Sequence, residues 1–279
     1  MESNSINSFP EIEIDFSTSK EQVWDQLSSK MDLHSHSRTR VLWNWKSYAV
    51  AATILMLVCS TLFMRLYTRT IHCPMGQHMS VVLPDLSQVE LNANSNMEYT
   101  PYWWKISRKV EFKGEGFFNI TPGSKFQIIS PKGITEIMGT SFNIYARDKH
   151  YKVTCFTGKV KVTSKQTTHQ VILLPKDQVQ ITENGTFELT KNIEPQKSTI
   201  WRENRFFFTA TQLSEVFREI ELQYNIHIVE KGRYNMPYTG NFKKLKSVEE
   251  VLNLVCTPFD LKFIKGPKNQ YIITTKENL

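Results

Sequence analysis

Residues Ser47 to Met64 read SYAVAATILMLVCSTLFM, eighteen positions without a charge between Lys46 and Arg65. As a helix this stretch covers about 27 Å, close to the hydrocarbon thickness of a bilayer. It begins too far into the chain for an ordinary secretory leader, and no small-residue cleavage pattern follows. Its hydroxyl residues are scattered, so no polar stripe marks it as a core helix. Trp43, Trp45 and Tyr48 at one end and Tyr67 at the other fit interfacial aromatic belts. The reading is a single transmembrane helix over 47–64, dividing the chain into a short arm (1–46) and a large body. Arg38, Arg40 and Lys46 flank the first side and Arg65 and Arg69 the second, which favours a cytoplasmic N-terminus and an extracytoplasmic body.

Working toward the N-terminus, Thr18-x-x-Glu21 has the form of a capping box, with Asp15 adding charge near the helix start. Val23, Trp24, Leu27 and Met31 then recur at helical spacing and form one apolar stripe. A helix this short is marginal alone in water and cannot bury its stripe against itself. Glu21, Asp25 and Asp32 would be repelled by anionic lipid, so a protein partner fits better than a membrane surface. The bland reading is a loose tail.

Working toward the C-terminus, residues 65–78 read as a juxtamembrane linker. Residues 79–190 read as an all-β domain of roll, sandwich or solenoid type. Short runs rich in β-branched and aromatic residues, such as Gln88–Leu91, Lys109–Phe112, Phe117–Ile120 and Phe126–Ile129, are separated by Gly, Pro, Asn and Asp. Asn184-Gly185 signals a two-residue hairpin. A linker with Pro195 is expected over 191–199, then an α+β domain over 200–279 in the order β-α-β-β-α-β-β. In that domain Leu213, Val216, Phe217, Ile220 and Tyr224 follow helical spacing after Thr211 as N-cap, and Ser247-x-x-Glu250 opens a second helix stopped by Pro258. The fold class is therefore mainly β plus α+β, with one spanning helix.

Charge and cysteine content narrow the function. The arm holds five Lys/Arg and seven Asp/Glu, a net −2, so the body carries +9 of the chain's +7 total. No RNP, helix-turn-helix or zinc signature accompanies that charge, so direct nucleic-acid binding is not expected; anionic lipid or an acidic partner fits it, as do solvated strand faces. Cys59 lies in the span. Cys73, Cys155 and Cys256 form no disulfide framework, and buried free thiols are expected for the last two. No G-x-S-x-G, P-loop, dinucleotide fingerprint or H-E-x-x-H motif occurs, so neither an enzyme nor a cofactor is expected. His72, Cys73, Met75, His78 and Met79 offer soft metal ligands, but at no familiar spacing, and His34-x-His36 cannot complete a zinc shell. Asp85 and Glu115 sit beside turns as a conceivable carboxylate pair.

Several motifs, in order, carry a resemblance. Val82-Leu83-Pro84-Asp85-Leu86-Ser87, Val89-Glu90-Leu91-Asn92-Ala93, Arg108-Lys109-Val110, Gly114-Glu115-Gly116-Phe117-Phe118, Met138-Gly139-Thr140-Ser141-Phe142-Asn143-Ile144, Gly158-Lys159-Val160 and Leu174-Pro175 are similar to the periplasmic part of FecR-type transmembrane sigma-factor regulators. The C-terminal 75 residues resemble the domain that follows in Bacteroidetes members, related in shape to the short modules of secretins and TonB-dependent receptors. Leu86 and Lys176 stand where that family usually has glycine, so remodelled turns are expected there. The arm is shorter than the helical anti-sigma domain of many members. The resemblance implies an inner-membrane protein whose arm contacts an extracytoplasmic-function sigma factor through Val23, Trp24, Leu27 and Met31, and whose body meets the signalling domain of a TonB-dependent outer-membrane transporter. The other reading is a membrane-anchored periplasmic binding or scaffold module using Tyr102, Trp103 and Trp104.

Overall fold

The computed structural model describes residues 19–32, 45–148, 150–230, 232 and 234–275. Thr18, Asp15, His34, His36, Arg38, Arg40 and Trp43 lie outside them. Helix α1 (Lys20–Asp32) opens on a reciprocal cap one residue later than expected. The Ser19 N–H donates to Gln22 Oε1 (3.3 Å) and the Gln22 N–H to Ser19 Oγ (3.4 Å). Helix α2 (Trp45–Leu66) contains the whole 47–64 stretch, buries none of its residues, and is long and apolar enough to cross a membrane.

The all-β part contains β1 (Arg69–Cys73), β2 (Met79–Val82), β3 (Gln88–Leu91), β4 (Ser95–Tyr99), β5 (Arg108–Asn119), β6 (Phe126–Ile129) and β7 (Gly133–Ile137). It continues with β8 (Ser141–Arg147), β9 (His150–Cys155), β10 (Val160–Ser164), β11 (Gln170–Leu173), β12 (Gln178–Ile181) and β13 (Phe187–Thr190). Residues 69–73, read above as linker, are thus a strand: β1 pairs with β4 from Arg69↔Tyr99 to Cys73↔Ser95.

Strand β5 organises this part. The two strands expected over 109–112 and 117–120 are one, and it belongs to two sheets. Residues up to Lys113 pair with β4 and β6; residues from Gly114 pair with β3 and β8. One sheet then continues through β7, β10 and β11, the other through β9, β12 and β13. The two inner faces bury Val110, Phe112, Phe118, Phe126, Phe142, Ile144 and Val153 in one core. Period-two alternation along β5 supplies the inward residues on both sides of the bend.

The bend itself requires Gly114. Its φ is +121°, and a Cβ there would lie 2.5 Å from Ser95 Cα, a backbone atom that cannot rotate away. The same Ser95 side chain accepts from the Glu115 N–H (3.0 Å) and donates to the Glu115 carbonyl (2.9 Å), pinning the two sheets at the crossing. Gly114→Ala is expected to lower the urea midpoint by an amount equivalent to roughly 3 kcal/mol or more. Gly116→Ala, where the nearest atoms are at 3.2 Å, should cost clearly less. Equal effects at both positions would remove Gly114 from this role.

The hairpin at Asn184-Gly185 forms, but with three loop residues. The Gly185 N–H donates to Thr182 O, the Thr182 N–H to Thr186 O, and Gly185 is the residue with positive φ. Leu86 and Lys176 also keep left-handed backbone, at φ +66° and +72°. The turns are therefore retained with a side chain in place, not remodelled.

A 3-10 helix over Pro195–Glu203, within and beyond the expected linker, leads to β14 (Arg205–Gln212), α3 (Leu213–Tyr224), β15 (His227–Glu230), β16 (Pro237–Lys243), α4 (Val248–Cys256), β17 (Leu261–Lys265) and β18 (Gln270–Thr275). This is the expected β-α-β-β-α-β-β order. β14 pairs with β16; β15, β18 and β17 form a second sheet in which β15 and β18 are parallel. Leu213, Val216, Phe217 and Ile220 bury one face of α3 against Val251, Leu252 and Val255 of α4 and the two sheets. Thr211 is not the cap of α3: the strand runs to Gln212 and passes directly into the helix. Ser247 is at the N-cap of α4, but its hydroxyl donates to Glu249 Oε2 (2.7 Å) rather than closing a box with Glu250.

Candidate functional site

The C-terminal module meets the all-β part along a seam of buried polar groups, centred on Glu115 just beyond the bend of β5. Its two carboxylate oxygens accept from the side-chain amides of Asn92 (2.8 Å) and Asn143 (3.1 Å). Asn92 Oδ1 accepts in turn from Gln223 Nε2 (2.7 Å) on α3, and the same amide donates to Glu219 (2.9 Å). Gln223 Oε1 lies 3.1 Å from His78 Nε2. A network of six side chains thus runs from the β5 bend to the last turn of α3. Beside it, Arg147 donates to Ala93 O (2.6 Å), and Arg218 of α3 pairs with Asp148.

The backbone joins in. The Gly76 N–H donates to Leu222 O (2.8 Å), satisfying a carbonyl that the end of α3 would leave open. Trp201 of the 3-10 helix packs edge-on against His78, with ring centroids 5.2 Å apart. Arg202 holds Glu90 of β3 through Nε (2.9 Å) and Nη2 while lying over the Phe117 ring at 4.2 Å. Within the expected linker, the Ile193 N–H donates to Lys176 O (3.0 Å), so that segment too is packed against the β part. A cleft of about 720 Å³ opens at the same junction, reaching Glu115, Tyr145, Trp201, Phe206 and Glu219.

Burial sets the electrostatics of the seam. Glu115 is pushed up to about 7, first by burial and then by the nearby Glu219 charge, against the pull of Arg147 and the two amides. Burial lowers His78 and Lys244 and raises Tyr145. At the other end of β5, Asp85 is partly buried, yet hydrogen bonds from the Ser87 N–H and from Arg108 outweigh that burial and hold its carboxyl low. Asp85 and Glu115 consequently belong to separate networks and do not form a carboxylate pair.

The soft-ligand cluster also divides. His72 and Cys73 are successive strand residues, one exposed and one buried, and the Cys73 thiol faces Gln77 O at 3.2 Å. No group of three His, Cys, Asp or Glu side chains suited to a metal occurs among the described residues. Cys73, Cys155 and Cys256 are buried free thiols. Trp104 is buried, edge-on to Tyr99 and Phe126, so Tyr102, Trp103 and Trp104 do not present one aromatic platform. Val23, Trp24, Leu27 and Met31 are all exposed on α1. Sequence reasoning missed His78, Asn92, Asn143 and Gln223 as a site; Asn92 and Asn143 had a signal, because both stand in the motifs quoted above.

The FecR protein family matches residues 69–161, and the FecR C-terminal family matches 205–273. The chain belongs to the FecR family. Two crystal structures of "a putative anti-sigma factor" from Parabacteroides distasonis are similar to it, each at 28% identity. They cover 75% of this chain and 100% and 99% of their own, with TM-scores of 0.69 and 0.68. No curated protein matches. In this FecR protein the motif residues Asn92, Glu115 and Asn143, far apart in sequence, are the ones that converge at the seam.

Proposed function

We propose that this FecR protein is a single-pass inner-membrane regulator of an extracytoplasmic-function sigma factor, with its N-terminus in the cytoplasm and its body in the periplasm. Family membership supports sigma-factor regulation. The observation that carries the rest is α1: Trp24 is 72% and Met31 69% exposed, on a helix with one apolar stripe and no core of its own. Such a stripe fits a groove on a protein partner. Ordering a marginal helix on binding keeps the affinity modest, which suits a contact that must be released.

On the periplasmic side, the signalling domain of a TonB-dependent outer-membrane transporter would dock on the C-terminal module. Strand β17 is an edge of its three-stranded sheet, and edge pairing is a suitable mode. A route inward follows from the seam. The α3 end bonds to Gly76 and His78, within about a dozen residues of the end of α2, and β1 is the only element between. The scaffold reading loses its aromatic platform with the burial of Trp104.

Trp24→Ala with Leu27→Ala is expected to reduce capture of the sigma factor in a pull-down by at least about tenfold, since two anchors of this kind typically carry more than 1 kcal/mol each. Unchanged capture would refute the arm as the contact.

A further inference from the structure

We propose that the end of the all-β part nearest α2 is a membrane-seated foot, with Leu86, Tyr102, Ile106 and Met138 entering the headgroup layer of a phospholipid surface. The inference rests on the reading of α2 as a membrane span, and extends it to a part of the body that nothing in that reading requires to touch lipid.

The register places this end. Arg69, three residues past α2, pairs with Tyr99, so the loop over 100–107 emerges beside the helix end. Tyr102 of that loop stands against Tyr67 and Phe63, with ring centroids 5.2 and 6.1 Å away. Three further loops are tied to the same place through Arg108. It bonds Asp85 in the turn over 83–87, and Thr121 O (2.9 Å) and Ser124 O (2.7 Å) in the loop over 120–125. The Gly123 N–H donates to Met138 O (2.9 Å), which adds the loop over 138–140.

Three of these four loops carry a large apolar side chain more than half exposed: Leu86, Tyr102 with Ile106, and Met138. Leu86 is the most telling. It takes left-handed backbone at φ +66°, a conformation disfavoured for an L-residue, and gains no burial in return. Lipid supplies the burial that the protein does not. Arg65, Arg69 and Lys105 are exposed at the same end and complement anionic headgroups, while Tyr67 and Tyr102 have the amphipathic character suited to that depth. The C-terminal module, at the Cys73 end of β1, is on the far side and would remain in water.

The test uses the full chain in nanodiscs of phosphatidylethanolamine and phosphatidylglycerol, in a Cys59→Ser background where the remaining thiols are buried. An environment-sensitive fluorophore is attached in turn through Ile106→Cys, Met138→Cys, the controls Leu254→Cys and Ile264→Cys on the module, and Ile54→Cys within α2. Quenching by a doxyl group near the headgroup should be at least about twofold stronger at positions 106 and 138 than at the controls. Position 54 should respond to a mid-chain doxyl group. Quenching at 54 with 106 and 138 no different from the controls overturns the foot and leaves the span standing. Failure at position 54 overturns the span and the foot with it.

Discussion

Arg108→Met is expected to destabilise the body by about 3–5 kcal/mol, the usual result of removing one partner from a buried ion pair. The Arg108 side chain is 7% exposed and that of Asp85 17%. Its guanidinium closes four contacts at once: Asp85, Thr121 O, Ser124 O and the face of Phe126, 5.3 Å to the centroid. Methionine fills much of the volume but leaves the two carbonyls without this donor and the carboxylate without its counter-charge, held only from Ser87. A loss of this size lowers the melting temperature of a body of this length by on the order of 10 °C. The pH dependence gives a second readout. Asp85 is held below its ordinary value, so its contribution is present above the unfolded carboxylate range and is lost as the pH falls through the folded value. The gap between wild type and Arg108→Met should therefore close in acid. A melting temperature within 2 °C of wild type at pH 7, about the shift expected from less than 1 kcal/mol, would show that these loops hold together without the arginine.

This knot also shows where sequence reasoning reaches and where it stops. Strands with clean alternation and turn residues on both sides, β3 and β6, are legible to the residue. So is the order of the C-terminal module, because its helices carry a 3.6-residue stripe and its strands do not. Strands β1, β4 and β11 escape because RTIHC, SNMEY and QVIL lack a decisive period, and Asn and Ser in β4 read as turn formers. Strand β5 is misread as two for a physical reason. Glycine inside a strand pattern signals either an end or a bend, and Gly114 bends the strand from one sheet into the other without ending it. The seam had no local signature. Glu115 meets Asn92 and Asn143 across 23 and 28 residues, and Gln223 reaches Asn92 across 131. Only the family motifs pointed to those asparagines, and nothing in a motif says that they converge.

Glu115→Gln is expected to stabilise the body at pH 8 and to leave it nearly unchanged at pH 5. Glu115 sits at the opposite end of the first half of β5 from Arg108, roughly 20 Å away along the strand. Its folded pKa is about 7, raised by burial and by Glu219, while the unfolded carboxyl titrates near 4.5. Between these values the folded state holds a proton that the unfolded state has released. Stability is therefore fully present below about 4.5 and declines as the pH rises toward 7, by an amount on the order of 3 kcal/mol. The neutral amide has no proton to lose and escapes that decline. It also finds partners: Asn143 Oδ1 is buried without a hydrogen bond, so rotation of the Asn143 amide offers an acceptor to the new Nε2 donor. His78, whose pKa burial lowers, acts in the opposite sense, with stability falling as the pH drops below its unfolded value. The difference between wild type and Glu115→Gln cancels that contribution. Thermal melts followed by near-ultraviolet circular dichroism across pH 5 to 8 test this. The melting temperature of the variant should pull ahead of wild type by on the order of 5–10 °C at the alkaline end. Parallel profiles would mean that Glu115 is ionised throughout and that the seam already accommodates two neighbouring carboxylates. A converging difference at pH 5 would place a neutral carboxylic acid between Asn92 and Asn143, and would make the hold of the module on the β5 bend weaken with rising pH.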